Sequence, residues 1–164
     1  MQPLRRGRGG LWLLLPLTTL LLASGCGWKK TMNFPSPSGR NRVEIWQPRL
    51  DNSMGLRIEL VSSGKRTLLY HSPNDAIVYF AHVCWSNDER TVGILATGTG
   101  NWQLAFHTEN GQSLPFEQIR DDLRRSIAST YSVPQGLDPV NWAASSEAQI
   151  VFFKRHPEIR VSYH

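Results

Sequence analysis

The sequence lacks most of the features that usually identify an enzyme. It has only two cysteines, Cys26 and Cys84, which excludes a disulfide-rich scaffold and a cysteine-rich zinc site. No nucleophile elbow, glycine-rich phosphate loop or helical His-Glu-His spacing occurs in its 164 residues. These absences favour a non-enzymatic protein that uses no metal and no cofactor.

The sequence also lacks an apolar run of the ~20 residues that a membrane-spanning helix needs. Its longest apolar segment, residues 11–22, is shorter and is interrupted by Pro16, which disrupts a helix interior. This segment has a basic flank before it and small residues followed by a cysteine after it: Arg5, Arg6, Arg8, Ala23, Ser24, Gly25 and Cys26. The combination is typical of a signal peptide over residues 1–25.

Residues 22–26, Leu-Ala-Ser-Gly-Cys, resemble the lipobox of the bacterial lipoprotein signal class, although Leu22 stands one place earlier than usual. The resemblance covers residues 1–26 only. It implies that Cys26 is diacylated (palmitate-type chains) and becomes the N-terminus after cleavage. Two acyl chains would anchor the protein firmly in the bacterial envelope, with the domain on the periplasmic or extracytoplasmic side and the outer membrane as one destination. The alternatives are an ordinary secreted protein and an uncleaved N-terminal anchor.

The chain has no charge pattern that predicts nucleic-acid binding. Of 18 Lys and Arg residues, three lie before Cys26, which leaves 15 against 13 Asp and Glu in the mature part. These basic residues are scattered among acidic ones rather than clustered. We expect residues 26–41 to form a tether, because Pro35, Pro37 and Gly39 interrupt regular structure and Lys29 and Lys30 would lie beside the lipid.

Residues 42–164 are predicted to form a single α+β domain. Alternating and apolar runs predict six short strands, at residues 42–47, 55–61, 65–71, 77–85, 90–96 and 101–107. Because the links between them have hairpin length, we expect one antiparallel meander. Residues 77–85 are apolar on both faces and are predicted to be its central strand.

A weak internal repeat lies within this region. The polar stretch 36–40 followed by Val-Glu-Ile-Trp recurs about 50 residues later as 86–90 followed by Val-Gly-Ile-Leu. The pattern resembles the blades of propeller-type repeats, in which a polar turn opens each unit. Two copies cannot close a propeller, which needs at least four blades. We therefore interpret the repeat as local hairpin chemistry.

The last third of the chain changes to a helical period. Apolar residues at helical spacing predict a helix within residues 114–131: Phe116, Ile119, Leu123, Ile127 and Tyr131. A second helix is predicted from Ser145 to the residue before Pro157, although the run Ile-Val-Phe-Phe equally favours a strand. Residues 159–163 are a candidate last strand. The helices should cover the sheet.

Few residues suggest chemistry. His71, Asp75 and His82 are the best candidates for a metal-dependent or hydrolytic site, and His82 and Cys84 would share one face of a strand. A buried histidine beside a small buried cysteine is the favoured interpretation of that pair. Trp46 lies in phase with Glu44, opposite Val43 and Ile45, and is the candidate partner-binding residue.

The sequence therefore predicts a membrane-anchored lipoprotein that acts as a non-enzymatic binding module. Its expected partners are the membrane, through the lipid on Cys26, and an envelope protein or cell-wall material. The alternatives are an envelope enzyme using the residues named above and an inhibitor or immunity-type lipoprotein.

Overall fold

The described residues form two antiparallel sheets and a layer of helices. The computed structural model describes residues 27–48, 55–72, 76–157 and 159. The first sheet has the order β1-β2-β3-β4 and the second has the order β5-β6-β7-β8. The strands are β1 (Trp28–Pro35), β2 (Asn41–Pro48), β3 (Leu56–Ser62), β4 (Lys65–Ser72), β5 (Val78–Trp85), β6 (Thr91–Gly98), β7 (Asn101–His107) and β8 (Ser113–Leu114). The helices are α1 (Arg120–Thr130), α2 (Pro139–Trp142) and α3 (Ser146–Arg155).

The expected tether is largely a strand. β1 pairs with β2 along its length, and Met32 on its inner side is buried. Pro35 ends the strand rather than preventing it, because a proline is tolerated at the end of an edge strand, where no ladder hydrogen bond is lost. The expectation of an irregular segment over residues 26–41 is therefore wrong for residues 28–35.

The prediction of one six-stranded meander is also wrong. Each of the six predicted strands forms, but β1 and β8 join them, and the eight strands divide into two meanders. β5 lies at the edge of the second sheet and not at the centre of a larger one. It is apolar on both faces because it lies between two other layers, with the first sheet on one side and the helices on the other.

The internal repeat is structural. β5 and β6 begin 50 residues after β1 and β2, and the turns between them close with the same hydrogen bonds. Ser36 N donates to Asn41 O at 2.8 Å, and Asn41 N donates to Ser36 Oγ at 3.2 Å. Ser86 and Thr91 make the equivalent pair, each at 3.0 Å. The polar stretch therefore connects the first two strands of a four-stranded unit in both copies.

The two turns also contact each other. Gly39 and Glu89 occupy equivalent positions and both have positive φ, +72° and +56°. The Glu89 carboxylate accepts hydrogen bonds from Ser36 Oγ at 2.9 Å and from the backbone N–H of Ser38 at 2.7 Å. These hydrogen bonds hold the corresponding ends of the two sheets together.

The two sheets pack face to face around one hydrophobic core. The inner face of the first sheet carries Val43, Ile45 and Ile58, all fully buried. The facing side of the second sheet includes Trp102, whose Nε1 donates to Tyr70 Oη on β4 at 3.0 Å. The other side of the second sheet is covered by the helices, which gives a sheet, sheet, helix order of layers.

Both predicted helices form. The apolar stripe of α1 is buried on the second sheet, with Leu123 and Ile127 inaccessible to solvent. The helix begins at Arg120, later than expected, because residues Phe116–Gln118 form a separate 3-10 turn. α3 begins after the predicted cap, Ser145, whose Oγ accepts from Ala148 N at 3.2 Å. Of the candidate last strand, only Ile159 lies within the described residues.

Candidate functional site: the outer face of the first sheet

The outer face of the first sheet points away from the second sheet and carries three rows of side chains across the strands. Directly paired residues of antiparallel strands lie on the same face, so the register defines each row. The row closest to residue 27 is Lys30, Trp46, Arg57 and His71. The middle row is Asn33, Glu44, Glu59 and Leu68. The third row is Pro35, Arg42, Val61 and Arg66.

The middle row holds two buried carboxylates. The side chains of Glu44 and Glu59 are 0% and 3% exposed, although they lie on the face that points away from the core. Arg66 Nη1 bridges them, at 2.7 Å from Glu44 Oε2 and 2.8 Å from Glu59 Oε2. Arg42 Nε donates to Glu44 at 2.8 Å, and Arg57 donates to Glu59. The cations of the neighbouring rows thus cover the carboxylates.

This cover keeps Glu44 ionised. Burial by itself would raise the pKa of its carboxyl group. The hydrogen bonds from Arg42, Arg66 and Lys30 outweigh that effect and lower the pKa to about 2. The same contacts with Glu44 and Glu59 raise the pKa of Arg66. Glu44 and Arg66 are therefore both charged at neutral pH.

The exposed charged groups of this hydrogen-bonded network are basic side chains. The side chains of Lys30, Arg42, Arg57 and Arg66 are 40–47% exposed, while both carboxylates lie beneath them. Four basic side chains against two carboxylates leave an excess of positive charge. A surface of this kind attracts anionic groups, and the attraction weakens as salt increases.

Trp46 belongs to this face but is only half-buried. The Arg66 guanidinium lies over its ring, 5.5 Å from the centroid, in a cation–π contact. Its indole Nε1 is shielded from solvent and has no hydrogen-bond partner among the described residues. Trp46 thus lies on an outward face, as its sequence phase predicts, with one side of the ring covered by an arginine.

The end of this face nearest residue 26 is aromatic. Trp28 begins β1, and its ring lies 5.4 Å from that of His71 at the far edge of the sheet. His71 pairs with Arg57, which in turn pairs with Trp46. Two indoles, an imidazole and two cations therefore lie together at the end of the sheet where the chain enters it.

A second polar cluster lies between the second sheet and α1. His82 Nε2 is 2.8 Å from Ser126 Oγ, and the ring of Tyr131 packs edge-on against the imidazole. Burial lowers the pKa of His82 to about 4, so this side chain is neutral at pH 7. Cys84 is free and buried, which confirms its interpretation as a small buried cysteine, and burial raises the pKa of its thiol.

The structure separates the residues proposed for a metal or hydrolytic site. His71 lies on the outer face of the first sheet, whereas His82 faces the helices from the second sheet. Asp75 lies outside the described residues, as does Cys26. Within the described residues, no group of three or more His, Cys, Asp and Glu side chains could hold a metal ion. His82 and Ser126 also lack a carboxylate partner in the hydrogen bonds described for them.

Sequence reasoning missed the carboxylate network and the partner of His82. The alternation of Arg42 with Glu44 and of Arg57 with Glu59 was visible, but it is equally typical of a solvent-exposed strand face. Ser126 lies 44 residues from His82 and carries no motif. Both features depend on contacts between distant segments.

No family model, no curated protein and no solved structure matches the chain. None of the helices in the described part of the chain is long and apolar enough to span a membrane.

Proposed function

We propose that the protein is a lipid-anchored module of the bacterial envelope that binds through the outer face of its first sheet. The lipid anchor rests on the sequence of residues 1–26. The binding role rests on one observation, which is that this face presents four partly exposed cations and a tryptophan above buried carboxylates.

The structure gives this face a fixed shape. Arg66 is held by two carboxylates and Arg42 by one, so the positions of their charges are set before any ligand arrives. A surface that is already ordered loses less conformational entropy on binding than one with free side chains. Arginine and tryptophan are also the residue types most often responsible for binding energy.

An enzymatic function has less support. His82 and Ser126 are within hydrogen-bond distance, but Ser126 lies in the middle of α1 and His82 is only 8% exposed. A substrate would therefore have little access to the imidazole. This pair connects the helix to the sheet, as a buried polar pair commonly does.

Site-specific photo-cross-linking in native membranes tests the proposal. A photoreactive amino acid at Leu68, which lies in the middle row and is 54% exposed, should form one specific adduct. The matched control is Leu137, also 54% exposed but located between α1 and α2. Equal labelling at both positions would refute a binding role for the outer face. Mass spectrometry of the N-terminal peptide tests the anchor separately, and an unacylated Cys26 would refute it.

A further inference from the structure

We infer that the outer face of the first sheet lies against the anionic headgroups of the membrane that holds the lipid on Cys26. This inference deepens the proposed function by naming the partner of the same face. It depends on where the anchor joins the fold and on which side chains lie closest to that point.

The anchor joins the fold almost directly. β1 begins at Trp28, two residues after Cys26. Two residues of extended chain span at most about 7 Å, so a lipid on Cys26 would hold the start of the first sheet at the membrane surface. No tether separates the two, and the sheet can reach the headgroups without any unfolding.

The side chains nearest that point have the chemistry of a membrane interface. Trp28 and Trp46 are on the outer face at this end of the sheet, with Lys30 and Arg57 beside Trp46. Indole rings favour the headgroup region because they are apolar with one polar edge, while lysine and arginine favour anionic lipids. The second sheet has no comparable surface to offer on its helix-covered side, where Phe80 and Leu95 are fully buried.

The buried carboxylates are compatible with this contact. Glu44 and Glu59 lie beneath the cations, so a lipid phosphate would meet guanidinium and ammonium groups first. Leu68, 54% exposed in the same row, adds an apolar side chain to the contact surface. The face thus combines positive charge with apolar surface, as interfacial segments do.

The test uses the full chain, purified from membranes in detergent and reconstituted into vesicles. A fluorophore sensitive to polarity is attached to a cysteine introduced by Leu68→Cys or, as control, by Leu137→Cys. Vesicles contain phosphatidylcholine alone or phosphatidylcholine with phosphatidylglycerol. We expect the label at position 68 to move to an apolar environment only with phosphatidylglycerol, and the label at 137 to be unchanged. A label at 68 that reports the same environment in both vesicles overturns the inference.

Charge variants make the test quantitative. Each lysine near an anionic surface changes the equilibrium between docked and undocked protein about fivefold. In the Leu68→Cys background, Lys30→Gln should lower the ratio of docked to undocked protein about fivefold, whereas Lys65→Gln, outside the three rows, should not. Increasing salt should undock the labelled Leu68→Cys chain that keeps Lys30, which gives a readout independent of any effect of the charge substitutions on folding. Equal effects of the two substitutions, or no effect of salt, would contradict the inference.

The inference can fail without the proposed function failing. A protein adduct at Leu68 in native membranes, together with an unchanged label in both vesicles, would replace the lipid surface with a protein partner. Equal labelling at 68 and 137 in native membranes would refute both the membrane contact and the binding role of the outer face.

Discussion

The two sheets have the same strand order and the same first turn, but equivalent faces carry different side chains: polar in the first sheet and apolar in the second. At equivalent positions on β2 and β6, Arg42, Glu44 and Trp46 correspond to Val92, Ile94 and Ala96. The apolar set faces the first sheet, whereas the polar set faces outward. The same strand pattern therefore serves as an internal layer in one copy and as an outer surface in the other.

The remaining face of each sheet is covered by another layer of the molecule. The first sheet packs its inner face on the second, and the second packs its remaining face on the helices. Gly93 lets this helix layer come close, because a Cβ at this position would lie 2.9 Å from side-chain atoms of Ile119 and Leu123. The helices take the place that a further sheet would occupy, and the charged face ends the stack at the other side. Stacked repeats require a polar face at their ends to stay soluble.

The largest expected effect comes from weakening the helix cover. Leu123→Ala removes a fully buried side chain between α1 and the second sheet, and we expect a loss of about 2–5 kcal/mol in the free energy of unfolding. Leu68→Ala is the matched control on the outer face and should change it by less than about 0.5 kcal/mol. Urea unfolding followed by tryptophan fluorescence measures both. Similar losses would mean that the outer face is as tightly covered as the helix side.

The second effect is a pH dependence of stability, which should differ between the helix-covered side of the second sheet and the outer face of the first. The pKa of His82 is about 4 in the folded state against 6.5 for an unperturbed histidine, so the unfolded chain binds its proton first as pH falls. His82 therefore contributes stability that is complete above pH 6.5 and lost toward pH 4, at up to about 1.4 kcal/mol per pH unit. His82→Gln should flatten the stability curve in that window. An unchanged slope would show that the imidazole does not titrate as a buried group.

The outer face should respond in a lower pH window. The folded-state pKa of Glu44 is about 2 against 4.5 when unperturbed, so its contribution is complete above pH 4.5 and lost as pH falls toward 2. Glu44→Gln leaves Arg42 and Arg66 without this carboxylate and should cost about 1–3 kcal/mol at pH 7. The cost should shrink below pH 4.5. Glu109→Gln, on an exposed turn, is the control, and an equal cost for both would contradict the network.

The smallest effect concerns the two turns. Gly39 has positive φ and open space around it, so Gly39→Ala should cost about 1 kcal/mol through backbone strain alone. Glu89 has the same backbone conformation but also holds Ser36 and Ser38. Glu89→Gly should therefore relieve strain and still destabilise the protein, and Glu89→Ala should be worse. Thermal unfolding gives the order, and a Glu89→Gly variant more stable than the natural chain would show that the turn contact is unimportant.

Local patterns predicted the elements well. The six strands between residues 42 and 107 and the stripe on α1 follow from periodicities of two and 3.6, which depend on neighbours in sequence. β1 was not predicted because Pro35 ends it and Pro37 and Gly39 follow it, a composition typical of an irregular segment. A bulge between Lys30 and Met32 also interrupts its alternation of inner and outer residues. The division into two sheets depends on which strands pair. Links of hairpin length are compatible both with one continuous meander and with two separate sheets.

The candidate site could be predicted only in part. Trp46 was identified from its phase, but the burial of Glu44 depends on Arg66, which is 22 residues away and belongs to the next strand but one. In sequence, a glutamate two residues after an arginine is typical of a solvent-exposed strand. The pairing of β2, β3 and β4 converts this pattern into a buried network, and no local property of the chain encodes that result.

Lysine footprinting in native membranes tests most directly whether the outer face of the first sheet is occupied. Acetylation of membranes and of detergent-solubilised protein, compared by mass spectrometry, should show Lys30 protected in the membrane and reactive in detergent. Lys65 and Lys154, which are exposed elsewhere on the chain, should react equally in both. If Lys30 is modified to the same extent in membranes as in detergent, the outer face is open to solvent and the account is wrong.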